Sequence, residues 1–281
     1  MSFLPPIIRT GSLVEEAEAV ILSTYGDTVS VARKGKDLAK HGRNLVVGTA
    51  FETVAEFQGT ESNETFVSTN LVDSISSSNA GDTQSITVEG HTIDGSGNLT
   101  FAIQTVALTG QTKKALTTPL ARATRAYVAP SGVFNTTPAA LAGTVYVYDD
   151  TGGITAGVPN TASATKVLIA AGDTKSQKGA TTISSQDYWL ITNFSAGIGD
   201  SGGSASLVTV RMETRDVKNG GVWIPLQREI VLTVGQNGVQ RIQEPYLIVP
   251  KNHDFRIRAK TDANTAEVFA QASGPLALVV S

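Results

Sequence analysis

The chain has 281 residues, 41% of them hydrophobic and only 17% charged, with a formal net charge of -3 and no cysteine. The charge balance argues against a nucleic-acid binder, and the missing thiols exclude disulfides and thiolate metal sites. Because charge falls below the usual share of about 25%, Ser, Thr, Asn and Gln must supply much of the polar surface. Those side chains suit strands and turns and are easier to bury in a subunit contact than charges.

At the start, residues 1–10 lack a basic n-region and Pro5 and Pro6 break the apolar run, so the segment does not read as a signal peptide. No uncharged apolar stretch reaches the roughly 18 residues of a membrane helix. Residues 1–45 differ from the rest and are expected to form an N-terminal arm, extended or partly helical. Ser12 can cap a short helix with Glu15 and Glu16 near its N-terminus. Val14, Ala17 and Ile21 then share one face, and Tyr25-Gly26-Asp27 ends it. Residues 28–43 carry Arg33, Lys34, Lys36, Lys40 and Arg43, with His41 beside them. A charge run of this kind is commonly a solvated loop. The functional alternative is an arm that contacts a partner by lying across its acidic surface.

Residues 46–281 read as an all-β region, one body or two lobes at 46–150 and 165–281. Strand signals are weak at 45–49 and 65–67, and 74–81 is a loop by composition. The alternation then sharpens. Ile86 and Val88 share a face, as do Leu99, Phe101 and Ile103, and the turn residues at 93–98 make these two strands a hairpin. Strands follow at 122–128 and 144–148. In the second, Val145 and Val147 face one way and Tyr146 and Tyr148 the other, so both faces are expected to be covered. The loops at 130–142 and 150–164 are rich in Gly, Pro, Thr and Ala, and the second is the best boundary between halves.

The C-terminal half gives strands at 166–170, 187–193, 207–214, 222–225, 229–234, 240–243, 246–249, 254–260, 267–271 and 276–280. Residues 197–204 read as a Gly-Ser loop and 235–238 as a hairpin turn. Pro245 and Pro250 flank a strand, where they do not break a central ladder. In 254–260, Phe255 and Ile257 should fill the core while Arg256 and Arg258 face solvent or a neighbouring subunit. Short strands at this spacing, without a fixed repeat, predict an all-β antiparallel sandwich, jelly-roll-like.

Nothing in the sequence assembles a catalytic site, and no cofactor or metal is expected. His41, His91 and His253 are far apart and none stands at metal-ligand spacing. Gly95-Ser96-Gly97 lacks the remaining glycine of a dinucleotide loop and no helix follows. Gly199-Asp200-Ser201-Gly202 also occurs around the nucleophile of chymotrypsin-like proteases, but neither upstream histidine has the context of a catalytic base, and a flexible loop is the expectation. Asp149-Asp150 is a turn signal first and a weak cation site second. Trp189 and Trp223 are read as core or sheet packing.

Three stretches carry a resemblance. The runs at 28–38 (Thr-Val-Ser-Val-Ala-Arg-Lys-Gly-Lys-Asp-Leu), 82–98 (Asp-Thr-Gln-Ser-Ile-Thr-Val-Glu-Gly-His-Thr-Ile-Asp-Gly-Ser-Gly-Asn) and 116–125 (Leu-Thr-Thr-Pro-Leu-Ala-Arg-Ala-Thr-Arg) resemble structural proteins of tailed-bacteriophage virions, and 246–251 fits as well. Within that group the chain looks most like a capsid cement or decoration protein. The resemblance implies a non-enzymatic β-sandwich made in the bacterial host cytoplasm. It would bind the outer surface of the major capsid protein shell, bridge capsomers, and pair with itself as a dimer or trimer, with no nucleic acid or membrane as partner. It transfers no site residues. A phage tail, baseplate or head-fibre component, or a glycan-binding β-sandwich module, remains the alternative.

Overall fold

The computed structural model describes residues 37–59, 61–130, 138–201, 207–227, 229–233 and 239–278. In chain order the strands are β1 (Asp37–Val47), β2 (Glu52–Thr53), β3 (Val72–Ser77), β4 (Ser85–Ile93), β5 (Leu99–Ala107), β6 (Lys114–Leu120), β7 (Arg122–Val128), β8 (Val145–Asp149), β9 (Ile154–Thr155) and β10 (Val158–Pro159). They continue with β11 (Thr165–Ile169), β12 (Ala180–Thr182), β13 (Asp187–Ser201), β14 (Leu207–Asp216), β15 (Ile224–Pro225), β16 (Ile230–Thr233), β17 (Val239–Val249), β18 (His253–Thr261) and β19 (Ala266–Leu278). Helix among the described residues is limited to two single-turn 3-10 segments, Asp150–Gly152 and Ala162–Ala164, and none of it is long and apolar enough to cross a membrane. The architecture is the antiparallel all-β one that the alternation predicts.

The buried apolar residues form two large clusters, each enclosed by a pair of sheets. In the first, the sheet β11-β8-β3-β6 packs on the sheet β5-β4-β7 around Ile75, Ile86, Val88, Leu120, Val147 and Ile169. In the second, the sheet β1-β19-β13-β17 packs on the sheet β12-β18-β14-β15, to which β16 and β2 add, around Trp189, Phe194, Met212, Phe255, Ile257 and Val268. Trp189 and Phe255 meet edge to face at 4.8 Å, and the buried indole donates to the Gly274 carbonyl. Full burial of such side chains contributes about 1.5–3 kcal/mol each.

Both ends of the chain build the second sandwich. β1 pairs with β19 and β2 with β18, so residues 37–53 return to strands more than two hundred positions later. Residues 37–45 of the expected arm are therefore strand here, and residues 1–36 with the proposed helix lie outside the described residues. The loop at 150–164 connects β8 to β11, which pair with each other within the first sandwich.

Several boundaries differ from the sequence reading for identifiable reasons. Residues 72–77 form β3 although they look like a Ser loop, because Ser76 and Ser77 are buried and Ser76 Oγ donates to the Gly157 carbonyl. Residues 197–201 extend β13 alongside β19, since Gly197 leaves room for the Phe269 ring. Residues 65–67 are not strand. Pro245 lies inside β17, an edge strand where a missing donor is tolerated.

A layer of polar groups joins the sandwiches. Asp254 on β18 is 0% exposed and accepts from Arg122 Nε (2.9 Å) and Nη2 (3.1 Å) on β7, from Arg215 Nε (3.0 Å) and Nη2 (2.9 Å), and from Thr182 Oγ1 (2.6 Å). Lys178 Nζ donates to the carbonyls of Ala123 and Lys166 and pairs with Glu64 at 2.9 Å. Lys40 Nζ donates to the Thr124 carbonyl. Residues 174–176 run along β7, with Val128 N donating to the Thr174 carbonyl and Ser176 N to the Ala126 carbonyl. Buried charges at a joint need this degree of pairing, because a buried polar group left unpaired costs several times what a made hydrogen bond contributes.

Candidate interaction surfaces

Of the five basic residues expected on the arm, the structure describes two, Lys40 and Arg43. Arg33, Lys34 and Lys36 lie outside the described residues. Lys40 is 5% exposed, faces the joint, and has its pKa lowered to about 7, chiefly by burial. Arg43 sits on the outer side of β1, where its Nε donates to Glu267 at 2.6 Å and its Nη1 lies 4.0 Å from Glu56. Neither Lys40 nor Arg43 presents a free cation to a flat acidic partner. The alternation along β1 explains the split: Lys40, Gly42 and Asn44 point inward, Arg43 outward.

Arg256 and, for the most part, Arg258 are covered by their own chain. Arg256 Nε donates to Glu213 at 2.8 Å and its guanidinium lies 3.8 Å from the Trp223 ring centre. Arg258 donates to the Phe51 carbonyl and to Asn63 Oδ1. Arg211 and Arg215, from β14, add to the row, stacked over Phe51 and over Phe66 and Trp223 respectively. Guanidinium planes over aromatic rings seal the outer face of this sheet while the carboxylates balance the charge. Trp223 thus packs on arginines rather than in an apolar core, while Trp189 is at the centre of one.

Among the described residues, two surfaces combine exposed apolar side chains with an edge or a cleft. The first is the edge formed by β5 and β6. No residue of β5 is charged, and Phe101 and Ile103 are 49% and 57% exposed. Thr100, Thr105, Thr117 and Thr118 surround them, all exposed. Gln104 fastens the two strands, its Nε2 donating to the Thr118 carbonyl and its Oε1 accepting from Thr118 N. Phe101 is also held edge-on against His91 at 5.6 Å. Lys114, at the start of β6, is exposed and charged; β5 itself, an uncharged edge strand bearing apolar side chains, has the composition of an interface centre.

The second is a cleft of about 680 Å³ between the end of β1, residues 52–62, and the β8–β11 edge of the first sandwich. A bulge between Asn44 and Val47 shapes it. Asn44 Oδ1 accepts from Val46 N, and Glu52 accepts from Gly48 N and from Asn44 Nδ2. This turns Leu45 and Val46 outward, 52% and 60% exposed, as an apolar lip. Glu52, Glu56 and Glu61 line the interior with Tyr146. The Glu56 side chain is 8% exposed and its Oε2 has no hydrogen-bond partner. Burial, with the negative charges of Asp173 and Glu267, raises its pKa to about 7 against the opposing pull of Arg43. The sequence reading passed over Glu56; a lone Glu in a polar stretch gives no signal until the fold encloses it.

The other groups singled out from sequence stay apart from these surfaces. His91 is buried on β4 and His41 is exposed on β1. His253 Nδ1 lies 2.8 Å from the Lys251 carbonyl. Asp149 accepts from Thr151 N, and Asp150 pairs with Lys113. Among the described residues no group of three His, Asp or Glu side chains could hold a metal ion. Gly199, Asp200 and Ser201 continue the backbone of β13.

No protein-family model matches the chain, and no curated protein matches it. Solved structures similar to it include that of the infectious bursal disease virus Gt strain, at 11% identity and TM-score 0.23 over 93% of this chain and 77% of that one. The VP2 subviral particle of infectious bursal disease virus aligns at 10% identity and TM-score 0.19, over 91% of this chain and 77% of that one. TM-scores this low carry no argument about fold or role, so both rest on the residues described above.

Proposed function

We propose that this chain is a structural protein of a tailed-bacteriophage virion, and within that class a capsid cement protein. It would seat on the outer face of the major capsid protein shell and bridge neighbouring capsomers. The observation that carries this reading is the uncharged β5 strand with exposed Phe101 and Ile103, presented by a body whose two sandwiches are pinned by buried ion pairs. Such a surface suits area burial against a partner without stranding charges. Each copy needs only modest affinity, because contacts repeated over a lattice multiply in effect. The sequence resemblance to phage virion proteins supports the same reading.

Quantitative densitometry of purified particles tests it. A cement protein should be present in numbers comparable to the capsid protein. A copy number far below that would assign the chain to a tail, baseplate or head fibre instead. On particles stripped of the protein, the Phe101→Glu, Ile103→Glu double variant should fail to rebind while keeping the wild-type near-ultraviolet circular dichroism. Full rebinding by the folded variant would remove this edge from the mechanism.

A further inference from the structure

We propose that the joint between the two sandwiches is operated by a proton: it tightens as the Lys40 side chain sheds its proton above neutral pH, and it loosens as the ammonium forms. Lys40 and Lys178 both cross the joint to main-chain oxygens of the first sandwich, but with unequal means. Lys178 Nζ meets the carbonyls of Ala123 and Lys166 at 2.8 and 2.7 Å and the Glu64 carboxylate at 2.9 Å, which together use its three N–H groups. Lys40 is 5% exposed, and its Nζ has one acceptor among the described residues, the Thr124 carbonyl at 3.3 Å. That bond is longer than the usual range of about 2.7–3.2 Å, and no carboxylate pairs with Lys40 among the described residues. An ammonium in this place leaves two N–H groups unmet where water does not reach. A neutral amine keeps the bond to Thr124 and buries no charge.

The groups packed around Lys40 give the ammonium little help. Glu89, on β4, attracts it, but Glu89 is already paired with Arg125 at 3.5 Å. Arg125, on β7, and Lys178, ahead of β12, both repel it. On β19, the residue opposite Lys40 is the uncharged Ala272. The imidazole of His91, on β4, is held neutral by its own burial. Burial is the largest of the effects on Lys40, and together they bring its pKa from 10.5 to about 7.

The sign follows from what opening does to the proton. Once Lys40 leaves the joint, water surrounds its amine and the ordinary value of 10.5 returns. The open form therefore binds the proton more tightly than the closed one. Between about 7 and 10.5 opening takes up a proton, so the joint tightens as pH rises through that window. Below about 7 both forms carry the proton and the dependence fades. The opening equilibrium constant should fall about fiftyfold from pH 7 to pH 9 and change by less than about twofold between pH 7 and pH 6. None of this depends on the virion reading, because it is read on the isolated chain.

NMR of the full chain carrying lysine labelled at Cε reads the proton directly. One lysine signal should titrate with a midpoint near 7 and be missing from Lys40→Met. Thiol labelling reads the joint. The chain has no cysteine, so Thr124→Cys places a single thiol at a position that is 4% exposed, and it keeps the main-chain oxygen that Lys40 uses. Labelling rates are corrected for thiolate fraction with an unfolded peptide of the same sequence. With Lys40 in place, corrected labelling should be about fiftyfold faster at pH 7 than at pH 9. Adding Lys40→Met should make it slow at both pH values, and adding Lys40→Arg should make it fast at both, since Met carries no charge and Arg does not lose its own. A Lys40 midpoint above about pH 9, or corrected rates within about threefold of each other at pH 7 and pH 9, would each overturn the proposal. So would a Lys40→Met protein whose labelling keeps the wild-type pH dependence.

Discussion

Asp254→Asn is the sharpest test of the joint. The carboxylate takes five hydrogen bonds from Arg122, Arg215 and Thr182 and is 0% exposed. Asparagine keeps the shape but withdraws the charge and turns an NH2 toward guanidinium donors. The Arg122 side chain, 4% exposed, is then a buried cation without its counter-ion. Breaking such a pair from one side costs about 3–5 kcal/mol. Arg122 retains bonds to the carbonyls of Val67 and Ala121, which places the expected loss near the lower bound. At about 2–4 °C per kcal/mol for a chain near this size, the melting temperature should fall by roughly 6–12 °C. Differential scanning calorimetry should also show the single transition splitting, because the two apolar clusters lose what couples them. Replacing both Arg122 and Asp254 by Leu should recover part of the loss, since no fully buried cation is then stranded and Arg215, the other partner, is 26% exposed and can turn to solvent. A D254N transition that stays single and moves by less than about 2 °C would refute the view that this carboxylate holds the sandwiches together.

Two further outcomes follow from buried groups. His91 is buried with an unpartnered Nδ1, and burial lowers its pKa from 6.5 to about 3, helped by the charges of Lys40 and Arg122 and opposed by Asp254. Between those values the unfolded chain binds a proton that the folded chain refuses, so stability falls as pH drops from 6.5 toward 3, by about 1.4 kcal/mol per pH unit. Denaturant unfolding of wild type should therefore lose about 2 kcal/mol more than His91→Leu between about pH 6.5 and pH 5; parallel losses would contradict the assignment. Gly42→Ala should cost about 3 kcal/mol or more, because its Cβ would stand 1.9 Å from the Val54 carbonyl oxygen, which is fixed by the Gly179 N–H. Gly95→Ala, with nothing within 4 Å, is the control and should stay within about 0.5 kcal/mol of wild type.

The strands that could be read from the sequence are those whose buried positions hold apolar residues. Phe255, Ile257 and Ala259 alternate on β18 and all are 0% exposed. Val145, Tyr146, Val147 and Tyr148 are all buried, as their two apolar faces suggest. β1 defeats the same reasoning. Its inward positions are Lys40, Gly42 and Asn44, so the period of two is present but written in polar residues and glycine, and the segment reads as a basic arm. β3 hides in the same way behind Ser74, Ser76 and Ser77. The outward arginines of β18 could be placed on the correct face. Their cover of Phe51 and Trp223 depends on loops whose return path no local pattern encodes. The cleft was out of reach for a related reason: its walls come from four separate stretches of chain.

The joint has a consequence for how the chain can change. Lys40 and Lys178 reach across to the main-chain oxygens of Thr124, Ala123 and Lys166, and residues 174–176 follow the main chain of β7. Those oxygens belong to the peptide unit and survive any substitution that leaves β7 and β11 strands. The recognising side chains sit almost wholly on the second sandwich; the first contributes Arg122 and otherwise offers backbone. Apart from Arg122, side chains along β7 are therefore free to drift with the needs of the first core while the grip between sandwiches stays as it is. A loss of one lysine from the second sandwich has no such substitute.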